Sequence, residues 1–564
     1  MQLSQQELAA MHPVPDSRGI NLFLADPARE LLTCYLPEAL HAHLRPHLER
    51  LGALAGSLLD ELAGTADKHP PTLSVRSRAG LDIAKIEKHP AYIELERFAY
   101  SEFGLAAMSH RAGVLGWPQA MPPAAKYALT YLFVQAEFGL CCPVSMTDSL
   151  ARTLRKFGDP ALVEQVLPMV TTQDFDALNQ GAMFMTEQGA GSDVSATQTQ
   201  ANLNDDGSWT LHGDKWFCSN PDAGFAMVLA RSESAPGLKG VSLFLLPKIR
   251  PDGSANSYRI LRLKDKLGTR SMPSGEIRLE GAFAWLVGER GQGFQHMSDM
   301  INNSRLSNGV RAAGLMRRAL TEALYISKNR RAFGKRLIDM PLMQRQLSKM
   351  AVTTEQARTM VYQTAQALEA SDRDASKRPL MRIMTPLIKF RACRDARKVT
   401  GDAMEVRGGC GYIEEFSDAR VLRDAHLGSI WEGTSNIVAL DVLRAIQKEN
   451  SLPALREHVA QLLANGTPVS AELLSLQTER IETAFSFAQY ASDNQISELA
   501  RQAASALYHV VTMAAMRWEA KQANMPMRNH LADLVLKHKL VARDPISDTH
   551  IADPALCDWL SQSI

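Results

Sequence analysis

Five short segments carry the residue types and spacings from which a reaction site could be built. Met185-Thr-Glu-Gln-Gly-Ala-Gly-Ser-Asp193 is rich in glycine and hydroxyl groups. Such a loop brings backbone N–H groups and the Thr186 and Ser192 hydroxyls close to a phosphate or to the polar edge of a ring. Taken alone, it is more often a plain turn. It is followed by Gly213-Asp-Lys-Trp-Phe-Cys-Ser-Asn220, by Asn329-Arg-Arg-Ala-Phe-Gly-Lys335 and by Glu405-Val-Arg-Gly-Gly-Cys-Gly411. Arg423-Asp424 then leads to Ile430-Trp-Glu-Gly-Thr-Ser-Asn436. Other chemistries find little support. His212, His296 and His426 show no metal-ligand spacing, Cys218 has no neighbouring histidine, and GxSxG, P-loop and HExxH patterns are absent. No metal site is expected.

The elements that must position these segments change texture along the chain. Residues 1 to about 180 are mostly helical in pattern, broken at His69-Pro70-Pro71 and Met121-Pro122-Pro123. Between about 181 and 285 the period shifts toward two. Ala226–Ala230, Gly240–Leu246 and Ser274–Glu280 are strand candidates, separated by turns at Asn204-Asp-Asp-Gly207 and Pro251-Asp-Gly253. Helical periodicity returns in two long runs, Gly293–Arg330 and Pro341–Ala370, whose length suggests an antiparallel bundle. A fourth block starts after Asn450. With 564 residues the chain is too long for one core.

The order and spacing of the five segments, over roughly 180 to 445, resemble the acyl-CoA dehydrogenase family of flavoproteins, and most closely its AidB-like, alkylation-response branch. Asn21-Leu-Phe-Leu-Ala-Asp26, His89-Pro-Ala-Tyr92 and the extra C-terminal block extend that resemblance. It implies an α+β, mainly α fold. The expected domains are an N-terminal helical domain (1–180), a β-barrel-like domain (181–285), a four-helix bundle with the catalytic base (286–447) and a further helical domain (448–564). It also implies a homotetramer, a dimer of dimers, around FAD.

The resemblance assigns roles residue by residue. Met185, Thr186 and Ser192 fall where family members meet the flavin ring and its pyrophosphate. Phe217 and Ser219 stand where the family has a Trp packed on the flavin and a Thr at its N5; an aromatic face and a hydroxyl remain. Arg330 and Phe333 resemble residues that reach the FAD of a neighbouring subunit, a guanidinium suiting a diphosphate through two parallel hydrogen bonds. Gly408 and Gly409 allow close approach to the nucleotide, and Thr434 and Asn436 complete the cofactor set. Two positions depart from the pattern: Pro341 and Glu405 both replace an expected Gln, which weakens the case for FAD contacts there. Glu432 is implied to be the base that removes the α-proton of an acyl thioester, with Trp431 and Gly433 beside the substrate and Arg305 contacting either substrate or structure. Its plain alternative is a helix-start glutamate favoured by the dipole. Ser304, at an alternative base position of some relatives, has no carboxylate. Trp431 replaces a smaller ring and should narrow the acyl pocket.

Charge separates the implied activity from its rival. The formal net charge of +1 gives no global case for nucleic acid or an anionic membrane, leaving room only for a local patch. From Ser451 to Ile564 nine Lys and Arg stand against twelve Asp and Glu. Phosphate contacts need a surplus of cations, so DNA binding, the alternative that the AidB-like resemblance brings, is disfavoured. Only Lys521 to Arg543 is locally basic, through Lys521, Arg528, Lys537, Lys539 and Arg543. The longest uncharged run, Gln502 to Met516, is too short to cross a bilayer. Seven cysteines without a CxxC pair, and an N-terminus (Met1-Gln-Leu-Ser-Gln-Gln-Glu7) without a secretion-signal pattern, point to a reduced cytoplasmic protein. An acyl-CoA substrate and an electron-transfer flavoprotein as acceptor are the expected partners.

Overall fold

The structure, a computed structural model, describes residues 14–542, 544, 546 and 552–564. The N-terminal heptapeptide and Arg543, both used in the sequence reading, lie outside the described residues. The helices, in chain order, are α1 (Glu38–Ala55), α2 (Leu58–Lys68), α3 (Pro90–Glu96), α4 (Pro123–Phe133), α5 (Cys141–Phe157), α6 (Pro160–Thr171) and α7 (Gly293–Asn329). They continue with α8 (Pro341–Arg373), α9 (Arg378–Arg407), α10 (Ser417–Gly428), α11 (Ser435–Glu449), α12 (Ser451–Ala464), α13 (Ala471–Asp493), α14 (Ala500–Gln522), α15 (Pro526–Val535) and α16 (Pro554–Ser561). The strands are β1 (Thr72–Arg76), β2 (Asp82–Glu87), β3 (Gly181–Phe184), β4 (Gln200–Leu203), β5 (Trp209–Ser219) and β6 (Phe225–Arg231). After these come β7 (Val241–Pro247), β8 (Tyr258–Leu263), β9 (Ser274–Val287) and a two-residue hairpin, β10 (Arg331–Ala332) and β11 (Lys335–Arg336). The architecture is mainly helical with a sheet-rich middle, as expected from the sequence. Two compact units emerge: 61–121 with 137–304, and 1–60 with 122–136 and 305–564.

In the first of these units the strands close on themselves. β6 pairs with β4, β4 with β5, β5 with β9, β9 with β7, and β7 returns to β6, while β3 and β8 attach to β6 and β9. The ring removes its own open edges. Its interior holds Phe184, Trp209, Leu211, Val228, Phe244, Leu246, Ile277 and Leu279. β6 and β7 are buried almost throughout, which is why both read as unbroken apolar runs rather than alternating ones. The hairpin β1–β2 departs from the helical expectation for residues 1–180. Seven of its eleven residues are exposed and Ile86 alone is buried, so the brief alternation of Leu73 and Val75 is too short and too solvated to stand out as a strand.

In the other unit long helices pack around α8 and α9, and many charges are buried with their partners. Arg318 donates to Asp60 at 3.1 Å and to Glu322 at 2.9 Å; Arg407 donates to Glu322 at 2.8 Å and to Asp418 at 2.6 Å. Burial and the nearby Glu322 push the Asp418 carboxyl up to about 6 despite Arg407. The sequence expectation of a basic surface patch from Lys521 to Arg543 is corrected here in one respect. Arg528 is fully buried on α15, ion-paired to Glu519 and Glu355, and contributes nothing to a surface.

Candidate active site

The expected residues fall into three groups, one in the barrel unit and two in the helical unit. In the barrel unit, the loop Met185–Asp193 leaves β3 and is tied to β5. Trp216 N donates to the Thr186 carbonyl at 2.8 Å. Below it, Lys215 Nζ is buried and donates to Glu187 Oε1 and to the Leu229 carbonyl, both at 2.7 Å. The same carboxylate accepts from Gln198 N at 2.6 Å and from the Thr199 hydroxyl at 2.6 Å. Burial holds Lys215 below its ordinary value against the pull of Glu187. Burial also acts to raise Glu187, yet Lys215 and the donated hydrogen bonds keep it below its ordinary value. A charge pair satisfied on this many sides locks the loop. Met185 and Thr186 are thereby half-buried and Ser192 is exposed. Neither Glu187 nor Lys215 was assigned a role from sequence, although both lie inside the quoted segments.

Phe217 owes its position to an irregularity. The β5–β9 register shifts between Lys215 and Cys218, so both of these side chains point inward at a spacing of three. The bulge turns Phe217 outward, 58% exposed, two residues before Ser219, which lies opposite Ser274. An exposed aromatic ring and a hydroxyl therefore share one end of a rigid strand.

In the helical unit, Glu432 sits in the turn between α10 and α11 with a left-handed φ of 54°, and Gly433 follows at 96°. A non-glycine residue in that region is strained and persists only where its surroundings enforce it. Two cations do so. Arg305 Nε donates to the Glu432 carbonyl at 3.0 Å, and Lys389 Nζ donates to the Gly433 carbonyl. Arg305 is held in turn by Asp441 Oδ2 at 2.7 Å, and Arg382 grips both oxygens of Asp441 at 2.7 and 3.0 Å. Arg305 thus fixes the turn. The Arg311 guanidinium lies 4.9 Å from the centre of the Trp431 ring. Thr434 stands at the N-cap position of α11 without a side-chain capping bond and Asn436 lies in the first turn, both exposed. Glu432 itself precedes the helix rather than starting it.

Sequence reasoning missed Lys389, because nothing in α9 marks it as near residue 433. Burial, with the Arg305 charge, lowers its amine to about 8 although Glu432 opposes the shift. The folded-state value lies below the unfolded one, so this group's stabilisation is complete above about pH 10.5 and is lost as pH falls through about 8. Lys389→Met removes both a desolvated charge and a charge-assisted hydrogen bond, and near pH 7 the two effects should roughly offset. At pH 10 the wild type should instead be about 2–3 kcal/mol more stable than the variant, judged by urea unfolding at the two pH values. A variant whose stability deficit is the same at both would refute the assignment.

A third group lies at the end of α7. Arg330 Nη1 donates to the Arg407 carbonyl at 3.0 Å, just before Gly408. Gly408 has φ 74°, a Cβ there would lie 3.5 Å from Arg330 Nη1, and Gly409 has open space on its Cα. Phe333, at the tip of the β10–β11 hairpin, combines φ 51° with 97% exposure. The chemistry of the donor set suits a flavin dinucleotide: hydroxyls and aromatic rings for the ring system, and a guanidinium with bare glycine backbone for a diphosphate.

A closed strand ring followed by long helices, with a strained glutamate turn, defines an acyl-CoA dehydrogenase-type architecture. Family comparison agrees. The acyl-CoA dehydrogenase middle domain matches residues 182–282, its C-terminal domain 291–447, and the adaptive response protein AidB N-terminal domain 13–177. Acyl-CoA dehydrogenase family member 11 of Caenorhabditis elegans is 32% identical over 463 residues, covering 80% of this chain and 74% of the relative. Putative acyl-CoA dehydrogenase AidB of Escherichia coli (strain K12) is 34% identical over 400 residues, covering 69% and 71%. Among solved structures, C. elegans ACDH-11 in complex with C11-CoA superposes with a TM-score of 0.85 at 28% identity, covering 94% of this chain and 93% of that one. The Bd2924 apo-form gives 0.80 at 31%, covering 90% and 99%. The chain belongs to the acyl-CoA dehydrogenase family of oxidoreductases, with an AidB-type N-terminal domain.

Proposed function

We propose that this protein is an FAD-dependent acyl-CoA dehydrogenase that introduces an α,β double bond into an acyl-CoA thioester. The observation that carries the reading is Glu432, a carboxylate in a left-handed turn whose two carbonyls are pinned by Arg305 and Lys389. Such pinning fits a general base, which must be fixed in direction as well as in place. Bound FAD supplies the acceptor for the β-hydrogen, which leaves as hydride. The protein's own part is to hold the acyl chain and move one proton. The Glu432 carboxylate takes the α-proton of the thioester while a backbone N–H meets the charge developing on the carbonyl oxygen. Trp431, fixed against Arg311, narrows the acyl site and favours short or compact acyl groups.

We assign Thr186, Ser192, Phe217 and Ser219 on the barrel to the flavin and its pyrophosphate, and Gly408 and Gly409 on the helical unit to close approach of a nucleotide. Phe333, together with Arg330, serves the FAD of a neighbouring subunit in a homotetramer. Its near-complete exposure in strained backbone supports that role, as do Leu342 and Tyr412, each 81% exposed. An electron-transfer flavoprotein is the proposed acceptor. The location is cytoplasmic; among the described residues no helix is long and apolar enough to cross a membrane.

One experiment tests the reading. The purified protein should be yellow, release FAD on denaturation and show a mass of about four chains by light scattering. Anaerobic titration with a panel of short and branched acyl-CoAs should bleach its flavin band. A protein that takes up no FAD on reconstitution, or whose flavin no acyl-CoA reduces, would contradict it.

A further inference from the structure

The helical unit contains a second concave site, and it is basic. A cavity of about 460 Å³ opens between α9, α13, α14 and the turn that follows α15. Arg391 and Arg394 from α9, Arg480 from α13, Arg501 from α14 and Lys539 line it. Two carboxylates neutralise part of this charge: Asp395 accepts from Arg391 at 2.5 Å and Glu479 from Arg480. Arg394 packs over the Phe390 ring at 5.7 Å, and neither Arg394 nor Arg501 has a carboxylate partner among the described residues. Burial, then the guanidinium groups of Arg501, Arg397 and Arg391, hold Arg394 below the ordinary arginine value. Clustered like charges destabilise the folded chain unless an anion joins them.

The cavity is separate from the Glu432 site. On α9, Lys389 faces Gly433, whereas Arg391 and Arg394 lie 200° and 140° further round the helix at 100° per residue. The walls are also suited to more than a bare ion. Phe390, Phe487 and Leu540 supply apolar surface, and His509 is buried, accepting from Gln356 at 3.0 Å through Nδ1. Burial, and then the facing charges of Arg391 and Lys539, push that imidazole well below its ordinary value. The neutral ring then carries its proton on Nε2.

We propose that this cavity binds an organic phosphate of nucleotide size. Its phosphates would be taken by Arg391, Arg394 and Arg501, and its organic part would lie against Phe390 and Phe487. The dimensions fit a small-molecule site, which spans roughly 300–1,000 Å³. They do not fit a duplex: the cations converge from four elements on one concavity, and Glu479 and Glu482 flank it on α13. A duplex instead needs cations spread along an exposed track.

The test is calorimetric titration of the FAD-loaded protein with ADP, with flavin absorbance showing that FAD stays bound. ADP should bind, pyrophosphate should displace it, and affinity should fall as salt rises. Arg394→Glu/Arg501→Glu should weaken ADP binding at least about tenfold, the loss expected when charge-assisted bonds are replaced by repulsion. The exposed Arg501→Glu alone should weaken it by a smaller factor, which keeps the test open if the double variant folds poorly. Flavin reduction by acyl-CoA should be unchanged in both. No ADP binding at millimolar concentration in low salt would overturn the proposal. So would binding that neither substitution weakens, or displacement of ADP by duplex DNA at physiological salt.

Discussion

Glu432→Gln should leave FAD and acyl-CoA bound while abolishing reduction of the flavin. The amide keeps the size of the side chain and the turn that Arg305 and Lys389 hold, so the geometry should survive. What is lost is the acceptor for the α-proton. Removing a positioned general base lowers the rate about 10²- to 10⁴-fold, and more where nothing substitutes for it. The neighbouring groups offer no ready replacement: Arg305, Arg311 and Arg382 present guanidinium donors, Asp441 is already gripped by Arg305 and Arg382, and the Lys389 amine, the one nearby base brought down to about 8, is engaged with the Gly433 carbonyl. The effect therefore belongs at the severe end. Stopped-flow reduction with the best acyl-CoA reads it directly. A variant that bleaches within tenfold of the wild-type rate would assign the base to another residue.

The largest effect on stability is expected at Arg528. Its Nε donates to Glu519 at 2.9 Å and its Nη2 to the same oxygen at 2.5 Å, while Nη1 reaches Glu355 at 2.6 Å. Glu519 also accepts from the Tyr35 hydroxyl at 2.5 Å and from Thr359 at 3.0 Å. These residues join α14 and α15 to α8 with no water-exposed member among the charges. Arg528→Met fills the space but leaves the buried Glu519 carboxylate without its cation, while Glu355 keeps Arg358 at 3.2 Å and Arg317 at 3.9 Å. Breaking a buried pair from one side costs about 3–5 kcal/mol. Chemical denaturation should show that loss in the midpoint rather than the slope. Adding Glu519→Gln should recover part of it, since the stranded charge is then gone. Equal stability of Arg528→Met and wild type would mean that Glu519 finds another partner.

The strands at 225–231 and 241–247, the long helices from 293 and 341, and the ordered segments around Thr186, Phe217, Arg330, Gly408 and Glu432 were all legible in the chain. Each depends on local periodicity or on a short run of residues, which a linear sequence carries in full. Side-chain direction and long-range pairing are not carried that way. The register shift in β5 decided that Phe217 faces outward and Cys218 inward. Lys389, distant in sequence, reached the Gly433 carbonyl only when α9 packed beside the turn. The same limit misled the charge count. Arg528 read as part of a basic stretch and is buried, while Arg391, Arg394, Arg480 and Arg501, scattered over more than a hundred residues, converge on one cavity. Local pattern specifies which elements form. Where a charge ends up depends on which elements meet, because the Coulomb energy follows distance in space and not separation along the chain.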